Sequence, residues 1–170
     1  MQMVKNAFIV LLSLWFALVI FMPKKELYYA LEHKLDDYGI VLNEKEINEN
    51  IFSLKIKDID VYTEGIKMAH LDSIDFFTII FYNTLDVSNV FIDSSLKSFV
   101  PLKIEKLDIV YNIINPLKVN IKTNGEFGKA VGYIDYNRTI YLDFIEIKNI
   151  KSFKKNLKKN SNGWYYESKF

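Results

Sequence analysis

The chain contains no cysteine, which excludes disulfides and thiol chemistry and leaves the redox state of its compartment unmarked. Histidine is scarce: His33 and His70 are the only two. Arginine is scarcer still, with Arg138 alone among the basic residues, the rest being lysine. An excess of one charge is also missing. The 22 Lys and Arg against 21 Asp and Glu leave a net +1, which offers no global attraction to nucleic acid. Aromatic residues, in contrast, make up 15% of the 170 residues, more than a disordered chain carries.

One long stretch lacks charge altogether. From Ala7 to Met22 the sequence runs AFIVLLSLWFALVIFM, with Ser13 its only polar residue. A membrane span needs roughly 20 apolar residues, with a tolerated range of about 17–25. The run is short for this but workable if its ends snorkel, with Ala7, Leu11, Trp15, Val19 and Met22 along its length and Lys5, Lys24 and Lys25 flanking it. A cleaved signal peptide is the alternative. It would need a small-residue cleavage motif, yet Pro23-Lys24-Lys25-Glu26-Leu27 follows, and the first alanine beyond the run is Ala30. Residues 1–23 are therefore expected to be an uncleaved transmembrane anchor. The positive flanks nearly balance. An N-terminal apolar run ahead of a folded domain behaves as a signal-anchor, so the N-terminus is expected in the cytoplasm and the bulk of the chain outside it.

Beyond the anchor the hydrophobic period changes twice. Residues 24–39 read as a short amphipathic helix, with Leu27, Leu31 and Leu35 at i, i+4 and i+8, joined by Tyr28 and Tyr38, and Gly39 as its stop. Residues 40–147 alternate with period 2 and carry turn signals at Glu64-Gly65, Asn115-Pro116, Asn124-Gly125 and Asn137-Arg138. A break is expected at Tyr82-Asn83-Thr84. The apolar phase slips between Ile56 and Ile59, which predicts a bulge near Asp58. Residues 148–170 form a basic tail, in which Ile150, Phe153 and Leu157 at helical spacing predict a short helix, followed by the aromatic run Trp164-Tyr165-Tyr166. The expected fold class is mainly β: an N-terminal transmembrane helix, a short amphipathic helix, a curved antiparallel meander and a short C-terminal helix.

Constellations for chemistry are sparse. His33 and Asp37 have metal-ligand spacing on a helix, but two ligands do not make a site. His70 lies near Asp72 and Ser73 without a sequence pattern that demands a triad. Gly125-Glu126-Phe127-Gly128-Lys129 lacks the Gly-Lys-Ser/Thr ending and the following helix of a phosphate loop, so its glycines read as a hairpin with close backbone approach. No catalytic, metal or cofactor residue is expected, and no enzyme. Asn137-Arg138-Thr139 is a glycosylation sequon, and Asp135 two residues earlier gives it the extended acidic form used by bacterial oligosaccharyltransferases. A plain hairpin turn is the alternative for Asn137.

The anchor, the Pro23–Tyr29 junction, the run Leu54-Lys55-Ile56-Lys57-Asp58-Ile59-Asp60-Val61-Tyr62 leading into Gly65–Ile74, and the later Gly125-Glu126-Phe127-Gly128 with Gly132-Tyr133-Ile134-Asp135 together resemble the type II secretion system N proteins and the broader AsmA-like group. That resemblance implies an inner-membrane anchor and a curved periplasmic sheet with an apolar groove. The chain is short for the group, and no catalytic residue carries over. Two functions follow as expectations. One is a non-enzymatic adaptor subunit of a bacterial envelope machine, a secretion system or a flagellar motor scaffold, with the inner membrane and other envelope proteins as partners and no nucleic acid. The other is lipid or lipopolysaccharide handling by an apolar groove, with Phe76, Ile80, Ile104 and Ile121 as its expected lining.

Overall fold

A computed structural model describes residues 2–161 and 163–169. Two helices, α1 (Gln2–Ile20) and α2 (Lys24–Asp36), precede ten strands: β1 (Ile40–Glu49), β2 (Ser53–Thr63), β3 (Ile66–Thr78), β4 (Tyr82–Ile92), β5 (Lys103–Asn112), β6 (Lys118–Gly125), β7 (Gly128–Asp135), β8 (Thr139–Ile147), β9 (Lys158–Asn160) and β10 (Gly163–Lys169). They form one sheet in the order β1-β2-β3-β4-β5-β6-β7-β8-β10-β9, with every pair antiparallel. Short connections between successive strands leave no room for a crossover, so each strand lies beside its predecessor until the last two exchange places.

The register makes the sheet two-faced. Ile47, Ile56, Ile74, Val87, Leu107, Thr123, Ala130 and Phe144 stand side by side across β1 to β8. One residue along, on the opposite face, the row reads Asn48, Lys55, Asp75, Asp86, Asp108, Lys122, Val131 and Asp143. Because side chains alternate with period 2, adjacent rows belong to opposite faces. The expected bulge at Asp58 is not an inserted residue: the pairs Lys57↔Ser73 and Ile59↔Leu71 keep one register on either side of it, and the irregularity falls at Val61/Tyr62. Asp58 instead adopts a positive φ of 52°, and Asn89 does the same on β4 at 49°. These kinks turn over the strand phase, so that Leu54, Ile56 and Ile59 are all buried in one cluster.

Each end of the apolar face has its own cover. Helix α2 lays Tyr28 on Leu54, Ile56 and Ile59. The helix starts after Pro23, where the Lys24 N–H donates to the Glu49 carboxylate and to the Met22 carbonyl, both at 3.0 Å, and ends at Asp36, shortly before Gly39, whose φ is +73°. Of the expected apolar residues Tyr28 alone is buried, and the leucine stripe beside it is not the packing face. Leu27 and Leu31 are exposed, while Lys24 and Tyr28, one turn apart, are buried, so the helix is rotated by about 100° per residue of offset from the stripe.

At the far end the expected C-terminal helix is absent. Residues 148–157 form turns and a single 3-10 turn at Lys154–Asn156, and β9 follows. Ile150, Phe153 and Leu157 are nonetheless buried together against Phe127 and Ala130. Helical spacing there reflects three anchors reaching one surface from an irregular segment. Six lysines between Lys148 and Lys159 surround the three anchors. The aromatic run after it forms strand β10, with Tyr165 opposite Asp143 and Tyr166 opposite Leu142.

Two further boundaries differ from expectation. Ile66–Thr78 is one continuous strand, and Tyr82, Asn83 and Thr84 lie within β4. The chain turns instead at Ile79-Ile80-Phe81, where Ile80 carries a φ of +72°. Helix α1 is long and apolar enough to cross a membrane by length and composition. Most of its side chains are exposed, and contact with the rest of the protein is confined to its last turns around Trp15 and Val19.

Candidate functional site

Between the two covers the apolar face stays open. A trough of about 360 Å³ runs along β5 to β8. Its floor is Leu107, Ile109, Ile121, Ala130, Leu142 and Phe144, with Ile140 at one end and Phe99, Val100 and Pro101 at the other. From Ile140 to Phe144 the floor measures roughly 13 Å at about 3.3 Å per residue. No charged side chain lines it among the described residues. Of its polar residues, Thr123 turns its hydroxyl to the Lys106 carbonyl at 3.1 Å. Asn156 donates to the carbonyls of Ser98 at 3.3 Å and Phe99 at 3.1 Å, which ties the 148–157 segment to the β4–β5 loop. Both groups are therefore engaged by backbone carbonyls, which leaves Tyr166 as the third polar side chain in a predominantly apolar wall.

Two of the expected lining residues are there. Ile104 and Ile121 line the trough. Phe76 packs in the other cluster beneath α2, and Ile80 sits in the β3–β4 turn outside the trough. What sequence reasoning missed was the contribution of the tail, Phe153 and Leu157, and of the turn residue Phe127. The only available signal was apolar residues placed where turn chemistry predicts polar ones.

Glycine shapes the trough floor. A Cβ on Gly132 would lie 1.8 Å from the Tyr141 carbonyl oxygen, and one on Gly128 would lie 2.0 Å from that of Glu146. Both neighbours are on β8, so β7 and β8 approach more closely at these points than any other residue permits. This agrees with the expected close backbone approach in the glycine-rich segment.

The polar face holds the ionisable groups. Asp86 and Asp108 are cross-strand neighbours, and Lys106 Nζ lies 2.6 Å from Asp108. Partial burial and the facing Asp108 carboxyl raise the pKa of Asp86 above the usual carboxylate range. Burial works in the same direction on Asp108, but the Lys106 ammonium outweighs it and holds Asp108 low. His70 Nδ1 lies 2.6 Å from Asp60, which also receives Lys67 at 2.6 Å; Asp72 is 3.6 Å from the other ring nitrogen. These groups form a half-exposed ion cluster on β2 and β3, and Ser73 is absent from the hydrogen bonds of His70. Among the described residues no group of three or more His, Asp or Glu side chains converges as a metal site. His33 lies on α2, away from this cluster.

Asn137 is exposed at the β7–β8 turn. The Asp135 carboxylate accepts the N–H groups of Asn137 at 2.9 Å and Thr139 at 3.0 Å. Asp135 thus has a structural role in the turn that stands without any glycosylation. Of the expected anchor residues, Ala7 and Leu11 are exposed, Trp15 and Met22 are half-buried and Val19 is buried. Comparison of the chain with protein-family models, with curated proteins and with solved structures finds no match.

Proposed function

We propose that this chain is a membrane-tethered, non-enzymatic binding protein that holds an acyl chain in its trough. The observation that carries this reading is the trough itself, an uncharged channel of about 360 Å³ on a sheet face otherwise covered at both ends. Its volume lies in the range of roughly 300–1,000 Å³ typical of small-molecule sites. The occupant is an acyl chain rather than a polar metabolite because the wall is almost wholly aliphatic and aromatic and carries no charge, with Thr123, Asn156 and Tyr166 its only polar side chains. In this reading α1 spans a bacterial inner membrane with its N-terminus in the cytoplasm, and residues 24–170 stand on the periplasmic side. Lipid is then the most abundant apolar molecule within reach of the trough.

A photoreactive fatty acid tests the proposal. It is expected to crosslink to peptides carrying Ile109, Ile121 or Leu142 in the full-length protein. Ile109→Glu, which places a carboxylate on the floor, is expected to abolish that crosslink while leaving the melting curve of the sheet in place. Crosslinking that is absent from the wild type, or unchanged by Ile109→Glu, overturns it.

A second reading, an adaptor subunit of an envelope machine, is favoured by the free edge of β1, ten residues paired on one side only. Such an edge can accept a partner strand. Glu44, Lys45, Glu46 and Glu49 along it act against indiscriminate pairing. A photocrosslinker at Lys45 in living cells is expected to capture a discrete partner under this reading, and its failure to do so removes it.

A further inference from the structure

The meander sends alternate turns to opposite ends of the sheet. The turns after β1, β3, β5 and β7 share one end with the α1–α2 junction, because Glu49 at the close of β1 caps α2 at Lys24. The two ends differ in chemistry. At the junction end the turns read Asn50-Ile51-Phe52, Ile79-Ile80-Phe81, Ile113-Ile114-Asn115-Pro116-Leu117 and Tyr136-Asn137-Arg138, with no acidic residue in any of them. At the opposite end Asp37, Glu64, Asp93 and Glu126 place an acid in each of the first four connections. Exposed apolar side chains stand at both ends, Tyr38, Ile66 and Phe99 at the opposite one, but only at the junction end do the turns carry them with no acid alongside. Ile114 is 93% exposed and Tyr136 71%, and Ile51, Phe81 and Ile113 are exposed beside them. At the opposite end the exposed ring of Phe99 has Lys155 Nζ over it at 5.4 Å.

The anchor helix sets the level of this end. Phe81, at the tip of the β3–β4 turn, stacks on Trp15 of α1 with ring centroids 6.4 Å apart and planes 3° from parallel. Trp15 precedes the helix end at Ile20 by five residues, about 7 Å along the axis. The turn therefore reaches back alongside the helix rather than standing clear of its end. A depth of about 5–10 Å is where interfacial apolar side chains settle, and Trp concentrates at this level.

The turn is built to hold that position. Ile80 is β-branched and left-handed at φ +72°, a costly conformation for this residue type. Thr78 Oγ1 accepts the Ile80 N–H at 3.2 Å, Asn83 Nδ2 donates to the Ile80 carbonyl at 3.2 Å, and Thr78 also bonds to Asn83. This bracing fixes Phe81 where it meets the helix. Arg138, exposed at the neighbouring turn, supplies a guanidinium suited to phosphate.

We infer that the four turns at the α1 end of the sheet form a membrane-docking edge, whose apolar tips enter the lipid interface of the bilayer that α1 occupies, so that the strands stand upright on the membrane. This rests on the placement of α1 in the bilayer and is independent of what the trough holds.

The lack of cysteine allows a direct test. Single variants Ile114→Cys, Tyr136→Cys, Ser95→Cys and Leu11→Cys of the full chain are labelled with an environment-sensitive fluorophore. The proteins are then reconstituted into vesicles of phosphatidylethanolamine and phosphatidylglycerol that contain either shallow or deep acyl-chain quenchers. Leu11, in mid-helix, reports on the anchor; Ser95, in the β4–β5 loop, reports on the opposite end. The expected result is a blue shift and shallow quenching at Ile114 and Tyr136, deep quenching at Leu11 and none at Ser95. Quenching at Leu11 with none at Ile114 and Tyr136 overturns the docking edge and leaves the anchor standing. Equal quenching at Ser95 means that the sheet lies flat, and overturns it as well. No quenching at Leu11 removes the anchor and the docking edge together.

Discussion

Replacing Phe153 with alanine tests whether the irregular segment 148–157 is a docked cover or a loose tail. Phe153 is 3% exposed and packs in one cluster with Phe127, Ala130, Ile150 and Leu157, its ring 6.3 Å from that of Phe144. Truncating a buried phenylalanine costs about 3–5 kcal/mol, in transfer free energy plus the void left behind. Phe153 also borders the trough, so the void merges with space that is already open, and the segment around it is irregular enough to settle inward. Both features place the cost near the lower limit, about 3 kcal/mol. For a domain of this size, 1 kcal/mol moves the melting temperature by roughly 2–4 °C, so the expected drop is about 6–12 °C. Circular dichroism melts of the full chain in detergent measure it, with Ile114→Ala, at a fully exposed tip, expected to change stability by less than about 0.5 kcal/mol. A drop for Phe153→Ala no larger than that of Ile114→Ala would refute the docked cover and, with it, the closed far end of the trough.

Other perturbations have defined signs. Gly132→Ala puts a methyl group 1.8 Å from the Tyr141 carbonyl oxygen, and the β7–β8 pair must part to accept it; a loss of about 1–3 kcal/mol is expected in the same melts. Asp86→Asn removes a carboxylate whose pKa is raised in the fold by burial and by Asp108. The wild type loses stability as pH rises through that raised pKa, so the variant is expected to be more stable at neutral pH, with the gain vanishing in acid. With 41% of the Asp86 side chain exposed, solvent screening keeps the gain near the low end of the roughly 0.2–1 kcal/mol of cross-strand charge pairs. Asp135 behaves in the opposite way. The backbone donors of Thr139 and Asn137 lower its pKa, so its contribution is present above the unfolded value of about 3.8 and lost as pH falls through the folded one. Asp135→Ala is therefore expected to destabilise the β7–β8 turn at neutral pH and to have no effect in strong acid, which amide exchange at Asn137 and Thr139 can follow.

The sheet was legible because its turns use ordinary chemistry. Glu64-Gly65, Asn115-Pro116 and Asn137-Arg138 each mark a strand end, and the intervening residues alternate. The β3–β4 turn was not legible, because it is made of Ile79, Ile80 and Phe81, whose side chains favour strands. The asparagine that signals a turn, Asn83, works from inside β4 by bonding back to Ile80. The tail failed for a related reason. Spacing of three and four residues fits a helix, but a looped path that brings Ile150, Phe153 and Leu157 to the same surface buries the same three side chains, so the pattern alone could not tell the two apart. For the trough, periodicity showed that an apolar face exists but could not show where along it the cover stops. Phe76 and Ile121 stand on the same face in the same row, Phe76 through Leu85 and Ile109, yet one lies under the α2 cluster and the other in the open trough.

The trough and the turn edge share an axis. The floor runs along the strands, from Ile140 beside the β7–β8 turn to Phe99 and Pro101 at the opposite end. Phe153, Asn156 and Leu157 close over the opposite end, where Asn156 ties the cover to the β4–β5 loop. With the turn edge resting in the lipid interface, the Ile140 end of the trough, away from the Phe153–Leu157 cover, faces the bilayer and the covered end faces away. An acyl chain could then slide from the membrane into the trough without crossing water, and the hydration cost of about 0.8 kcal/mol per exposed CH₂ would not enter the barrier. A sheet lying flat on the membrane would present the trough sideways and lose that path. The geometry therefore links the two proposals in one direction: an upright sheet does not require the trough to hold lipid, but rapid loading of the trough from a bilayer requires an upright sheet. Loading measured from vesicles should accordingly slow when Ile114 and Tyr136 are replaced by aspartate, while the affinity for a detergent-dispersed acyl chain stays unchanged. A fall in that affinity would mean that the turns shape the trough itself, and the two features would then be one site.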